Sequence, residues 1–252
     1  MIYFLLLLLT LPAWAVPKYV DLAYGVQGRT LPALGAELYA ESGYNLKFWG
    51  EKESPKDVLY GFIRPNLQAS SSAVINAVKG EIEFFPISFI GFAAGRQYID
   101  SNFNFNFFEC DDINCTGGFE RNYVESKMVL GHAGWVAVGH YKVETLKGPD
   151  NGKPIGDWRN IIIGNPGEEV QIEKKLIFGK QFGNKLTGVM IENVQFQGSG
   201  QRRESFAAIY QERHGQTSYM IGAGALHTDQ VPMGFVLYFR IHHNALPSLK
   251  LF

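Results

Sequence analysis

The chain has 252 residues, a formal net charge of -1 and a charged fraction of 19%. Near-neutrality without a basic block gives no electrostatic footprint for nucleic acid, and beyond the N-terminal run no stretch reaches the about 18 consecutive apolar residues of a helical membrane span. Aromatic residues make up 14% of the chain, which carries 28 glycines, yet mean hydropathy is only -0.07; such a balance suits strands and tight turns with one apolar and one polar face.

Residues 1–15, MIYFLLLLLTLPAWA, form an apolar run closed by the small-x-small pattern Ala13-Trp14-Ala15. The run is too short to cross about 30 Å as a helix and reads as a secretory signal peptide, although it lacks the usual positive n-region. Residues 16–252 are then a single exported domain, with no repeat or linker to divide it.

A first strand is expected near 18–28. The stretch LGAELYAESGYNLKFWG (34–50) follows, and its parity sets the architecture. Its even positions include Leu34, Leu38, Tyr44, Leu46 and Phe48, its odd positions Glu37, Glu41 and Lys47. Strand side chains alternate between faces, and a two-residue turn at Ser42-Gly43 would flip the apolar parity. The parity persists, which favours one long strand, although a three-residue turn would also keep it. Soluble strands run about 5–6 residues; this length suits a tilted bilayer crossing, in which about 9–11 residues lie in the membrane.

Further strands are expected near 57–68, 73–85 and 87–107. In the last, Phe89, Ala93, Ile99, Phe103, Phe105 and Phe107 oppose Arg96, Tyr98, Asp100, Asn102, Asn104 and Asn106. The only cysteines, Cys110 and Cys115, follow at once. In an exported protein so close a pair forms a local disulfide at a loop tip, here capping a long outside hairpin near 100–120. Two cysteines without a nearby histidine make no zinc site, and Asp111, Asp112 and Asn114 lack EF-hand spacing, so no metal or other cofactor is expected.

The strand near 119–131 carries Arg121, Glu125 and Lys127 on one parity. Residues 133–146 set Trp135, Ala137, Gly139, Tyr141 and Val143 against Val136, Val138, His140, Lys142 and Glu144. Residues 169–182 set Val170, Ile172, Leu176, Phe178 and Phe182 against Glu169, Gln171, Glu173, Lys175 and Gln181. Segments 185–197, 204–213 and 217–227 follow, and 232–243 sets Met233, Phe235, Leu237, Phe239 and Ile241 against Gly234, Val236, Tyr238, Arg240 and His242.

These segments number about twelve, an even count. With 34–50 as one strand, the longest connections (108–118 and 147–168) share one end, and the tight ones at Pro86, Gly131-His132, Gly183-Asn184 and His214-Gly215 share the other. Over essentially its whole mature length the chain resembles a bacterial outer-membrane β-barrel, a resemblance to a class and to no particular family. The resemblance implies an all-β fold, a single transmembrane antiparallel barrel of about twelve strands. It also implies outer-membrane lipid and lipopolysaccharide around a monomer, and assembly machinery that reads the last strand through Gly234, Leu237 and Phe239 with terminal Phe252. Pro232 stands where that signal carries a polar residue, and a tail separates strand from terminus. Lys174 and Lys180 fall on the lipid side and are required to lie toward the rims, where a lysine costs about 0–1 kcal/mol rather than about 2–4 at the midplane.

The polar parity then lines a lumen with Glu37, Glu41, Lys47, Arg121, Glu125, Lys127, His140, Lys142, Glu144, Glu169, Glu173, Lys175, Arg240 and His242. Two roles fit, a narrow polar pore tuned by charge or a structural surface protein with an ion-paired filling. A lipid- or peptide-cleaving hydrolase in the lumen or at the rim is the alternative from another class. No histidine is followed by serine at the His-x-Ser spacing of outer-membrane lipid hydrolases, no catalytic residue is assigned, and His227-Thr228-Asp229 reads first as a turn. A soluble periplasmic barrel binding an apolar ligand has the same period with the faces exchanged.

Overall fold

The computed structural model describes residues 19–30, 35–50, 59–72, 74–102 and 108–246. The expected signal peptide, the 103–107 run and Phe252 lie outside them. The first half of the barrel comprises β1 (Val20–Thr30), β2 (Gly35–Tyr44) continued by β3 (Leu46–Trp49), β4 (Gly61–Ser71), β5 (Ile75–Ile87), β6 (Ile90–Ser101) and β7 (Gly117–His132). Then come β8 (Trp135–Lys147), a small hairpin of β9 (Pro154–Asp157) and β10 (Ile162–Pro166), and β11 (Glu168–Phe182), β12 (Lys185–Phe196), β13 (Arg202–His214), β14 (Thr217–Thr228) and β15 (Gly234–Leu246). Neighbours pair antiparallel throughout, and β1 bonds both β2 and β15, which closes the sheet. Because β2 and β3 share β4 as their neighbour, residues 35–49 are one barrel strand and the barrel has twelve.

That strand is interrupted at Asn45, whose Nδ2 donates to Asp21 Oδ2 at 2.7 Å and to the Tyr19 carbonyl at 3.1 Å. An asparagine side chain that satisfies neighbouring groups in this way competes with the regular ladder. Gly43, just before it, lies beneath the Arg64 guanidinium, and a Cβ there would stand 2.2 Å from Arg64 Nε. Glycine occupies the position because a buried side chain crosses over it.

The tight turns gather at one end, at Ser88-Phe89, Ala133-Gly134, Gly183-Asn184 and Gly215-Gln216. Three differ from expectation. Pro86 lies within β5, His214 ends β13, and Gly131-His132 lies within β7, the β7–β8 turn being built by Ala133 (φ 50°) and Gly134 (φ 82°). Paired positive φ values match the twist of the flanking strands. An L-residue in that region is strained by about 1–2 kcal/mol, partly offset by glycine's unfolded-state entropy of about 0.5–1 kcal/mol. Ala133→Gly is therefore expected to stabilise the barrel by about 0.5–1 kcal/mol, read as a higher temperature for the gel shift between folded and heated bands; an unchanged or lower temperature contradicts this. The chain leaves β6 and β8 at the opposite end, as expected for the longest connections, whereas β3 ends and β4 begins at the end of the tight turns.

The two walls have opposite chemistry. Across β11–β13 the outward rows Leu176–Ile191–Phe206 and Phe178–Val189–Ala208 are apolar and continue into Ala225 and Ala223 of β14. The row above them, Lys174–Asn193–Glu204–His227, is polar, and the row below begins Lys180–Thr187–Tyr210. Lys174 and Lys180 thus border the apolar belt rather than interrupting it, from where a lysine stem reaches toward headgroups. Lys180 lies 5.4 Å from the ring centroids of both Trp135 and Phe182. Inside, Arg64, Arg121, Glu83 and Gln171 are among the largest fully buried side chains. An apolar exterior around a charged interior excludes the soluble ligand-binding barrel, since water-soluble barrels place these faces the other way. The fold is that of an outer-membrane β-barrel.

One strand departs from its expected parity. In β6, Ala93 and Ile99 point inward and are buried, while Arg96, Tyr98 and Asp100 are outward and exposed. Arg96 there pairs with Glu120 of β7 and stacks 4.8 Å from the Tyr98 ring centroid. Toward this end the polarity inverts, with Ile99, Phe119, Leu146 and Phe196 inside and charges outside. The apolar material inside the mouth explains the inversion.

Candidate functional site

The β8–β11 connection folds into the barrel mouth. Its β9–β10 hairpin is too short to be stable alone, but it carries Ile155, Trp158, Ile161 and Ile162, all buried. They pack in one cluster with Ala77 of β5, Ile99 of β6, Phe119 of β7, Leu146 of β8 and Val194 and Phe196 of β12. The hairpin therefore bridges opposite walls. Burying each large apolar side chain contributes about 1.5–3 kcal/mol. That is enough to hold Ile161 at φ 59°, a conformation β-branched residues rarely adopt and one that costs about 1–3 kcal/mol.

Arginines from three strands grip the hairpin tip. Arg121 of β7 donates to Asp157 Oδ1 at 2.9 Å and to Glu144 Oε1 at 2.7 Å. Arg203 of β13 donates to Asn160 Oδ1 at 2.6 Å and pairs with Glu192. Arg29 of β1 donates to the Trp158 carbonyl at 2.7 Å and to the Arg159 carbonyl. Within the tip, Asp157 accepts from Asn160 Nδ2 at 2.7 Å and from the Arg159 amide at 3.0 Å. Charge-assisted bonds of this kind are roughly twice as strong as neutral ones. The hairpin is a clamped plug.

A second segment straps the plug. The expected Cys110–Cys115 disulfide is present, and Cys115 is buried in the same cluster as the hairpin. Asn114 takes a bridge beside Ile155, receives the Gly156 amide at 3.0 Å and gives its own to the Pro154 carbonyl at 2.8 Å. Its side chain donates to Asn151 Oδ1 at 2.8 Å and to the Lys153 carbonyl at 3.0 Å. Asn114 thus organises the hairpin.

Of the fourteen expected lumen residues, three lie at the plug. Arg121 and Glu144 are sealed beneath it. Glu169 faces no water: its carboxylate accepts backbone amides of Asn165, Val170, Gly198 and Ser199 at 2.7–3.2 Å, stapling β10–β11 to the β12–β13 loop. The others lie on their strands away from the hairpin tip. Glu125 binds Lys127 at 2.5 Å and His140 at 3.0 Å, His140 reaches Glu173 at 3.5 Å, and Lys142 joins Glu173 at 3.1 Å to Glu144 at 2.7 Å. Lys175 lies 3.7 Å from Glu192, which links this chain to Arg203. On the facing wall Tyr39 accepts from Arg240 at 3.1 Å and contacts His242 at 2.7 Å, Glu37 accepts from Gln27 at 3.1 Å, and Glu41 lies 3.5 Å from Arg64. Lys47 is exposed.

The sequence reading missed Arg29, Arg64, Asp157, Asn160 and Arg203. Arg64 is the centre of a buried group, donating to Asp21 Oδ1 and Oδ2 at 2.6 and 2.8 Å and to Glu83 at 2.5 Å. One signal was available for the plug, since Ile155, Trp158 and Ile161–Ile163 make an apolar load foreign to a solvated loop. Among histidines, His227 contacts the Pro232 carbonyl at 2.5 Å, while Thr228 Oγ1 accepts the Gln230 and Val231 amides; His227 and Thr228 end β14 and Asp229 opens its connection to β15. The hydroxyl–imidazole pair Thr217–His243, at 2.8 Å, flanks Tyr24 on the outward wall.

No protein-family model matches the sequence, and no curated protein does. Among solved structures, an outer membrane channel from Pseudomonas putida F1 is similar at 10% identity and TM-score 0.48, over 91% of this chain and 97% of that one. The β domain of the Bordetella autotransporter BrkA is similar at 10% identity and TM-score 0.43, over 89% of this chain and 98% of that one. LpxR from Salmonella typhimurium is similar at 7% identity and TM-score 0.46, over 88% and 99% of the two chains.

Proposed function

We propose that this protein is a monomeric, narrow polar pore of the bacterial outer membrane, closed at rest by its own β8–β11 connection. The observation that carries the reading is the clamp. Arg29, Arg121 and Arg203 converge on one hairpin tip from β1, β7 and β13, and the polar wall beneath still reaches water at Lys47, Lys127, Lys175 and Arg240. A lumen kept only as structural filling has no use for water-reaching cations below a separately held plug. The pore lining on this reading is Glu37, Glu41, Lys47, Glu125, Lys127, His140, Lys142, Glu173, Lys175, Arg240 and His242, with Arg121, Glu144 and Glu169 belonging to the gate.

The test is conductance across a planar bilayer. The wild-type chain is expected to be nearly silent. A variant with residues 150–165 replaced by a short glycine-serine link is expected to conduct at least about tenfold more, as removal of a steric and apolar constriction requires. If that variant still shows the heat-shifted band of a folded barrel yet stays silent, the gated-pore reading fails and the structural role stands.

A further inference from the structure

The clamp has the chemistry of a ligand site. Arg121 and Arg203 are 1% and 4% exposed, and the Nε of each makes no hydrogen bond although it is buried. Guanidinium groups deep in a protein match carboxylate and phosphate geometry, and an unpaired buried donor is costly. What the plug offers them is a set of oxygens: the Asp157 carboxylate, the Asn160 amide oxygen and the Trp158 and Arg159 carbonyls. The plug tip stands where an oxyanion would stand.

The lumen wall points the same way. Lys79 is 22% exposed and its partner Glu81 3%; Lys127 is 30% and Glu125 9%; Lys175 is 32% and Glu192 11%. Long lysine stems carry their ammonium groups toward the axis while the shorter carboxylates stay at the wall. A solute on the axis therefore meets the positive ends first, and the nearer charge dominates. Three acids also reach water: Glu37, which is half-buried and accepts from the neutral Gln27, and Glu41 and Glu173, at 18% and 16%. Glu41 and Glu173 each lie beside a cation, Arg64 for Glu41 and Lys142 for Glu173, so the uncompensated acid is outnumbered by the three lysines.

We propose that Arg29, Arg121 and Arg203 form an oxyanion-binding site at the mouth, occupied at rest by the Asp157–Asn160 tip as a built-in ligand, and that the solutes admitted are small carboxylates or phosphates. This rests on the gated-pore reading for passage, though not for binding. An incoming anion competes with the tip for the same donors, so entry and plug release are one exchange.

The experiment uses the full chain with the tip weakened by Asp157→Asn and Asn160→Ala. In a KCl gradient its current is expected to reverse at a potential set by chloride, with permeability favouring chloride over potassium by about threefold or more. Inorganic phosphate or succinate is expected to block that current, and adding Arg203→Gln is expected to raise the blocking concentration by about tenfold. A cation-selective current, or a current that neither anion affects, overturns the proposal. Silence of every variant sinks the pore instead. Binding is then decided by whether phosphate raises the unfolding temperature of the tip-weakened barrel in detergent and loses that effect with Arg203→Gln; no shift overturns the site.

Discussion

Replacing Arg64 by methionine is expected to destabilise the barrel by about 3–5 kcal/mol, as removing one member of a buried ionic group does. Arg64 is 1% exposed and stands between Asp21 and Glu83, also buried, with Glu41 3.5 Å away. Methionine fills comparable volume but leaves these carboxylates facing one another without the guanidinium. The loss is not confined to one pair, because Asp21 lies on β1, Arg64 on β4 and Glu83 on β5, and Asp21 also receives Asn45 Nδ2 and the Gly43 amide. The break between β2 and β3 is organised around the same carboxylate. A lowered urea midpoint for the loss of the fast-migrating unheated band measures the effect. Neutralising the acids together with the arginine, as Asp21→Asn and Glu83→Gln in the Arg64→Met chain, is expected to recover part of the stability; a single variant as stable as wild type refutes the account.

Arg121→Met is expected to act at the mouth, releasing the plug while the strand ladder persists. The substitution removes the guanidinium that joins Asp157 of the plug to Glu144 of the wall. Breaking such a buried contact costs about 3–5 kcal/mol, more than any one of the plug's apolar contacts contributes. Burial by itself pushes the Asp157 carboxyl up, but the Arg121 guanidinium, then the Asn160 amide and Arg159, outweigh burial and hold it below the ordinary aspartate range. A carboxyl depressed in the folded state adds stability that is present above its unfolded pKa and lost as pH falls through the depressed folded value. The wild-type plug is thus expected to stay clamped at neutral pH and to loosen only below about pH 4. Without Arg121 that loosening is expected to move to higher pH. Acrylamide quenching of Trp158, in a chain carrying phenylalanine at Trp14, Trp49 and Trp135, reads both changes. Equal quenching of wild type and variant at pH 7 would show that the clamp does not hold the plug.

The strand count and the sides of the wall followed from the sequence because strand side chains alternate strictly. Residues 34–50 keep one parity across Ser42-Gly43, which ruled out a two-residue hairpin turn there; the even total and the sorting of connections then decided for a single strand. Register did not follow, so the rows that place Lys174 and Lys180 at the borders of the apolar belt needed the paired strands. The plug was decided only by the tertiary structure. Arg29 meets Trp158 across 129 residues and Arg203 meets Asn160 across 43, and no local period links such positions. The same cause reversed β6, where Ile99 turned inward to meet a hairpin some 60 residues later in the chain. Alternation tells which residues share a face; what fills the space before that face is set by a segment whose own pattern carries no address.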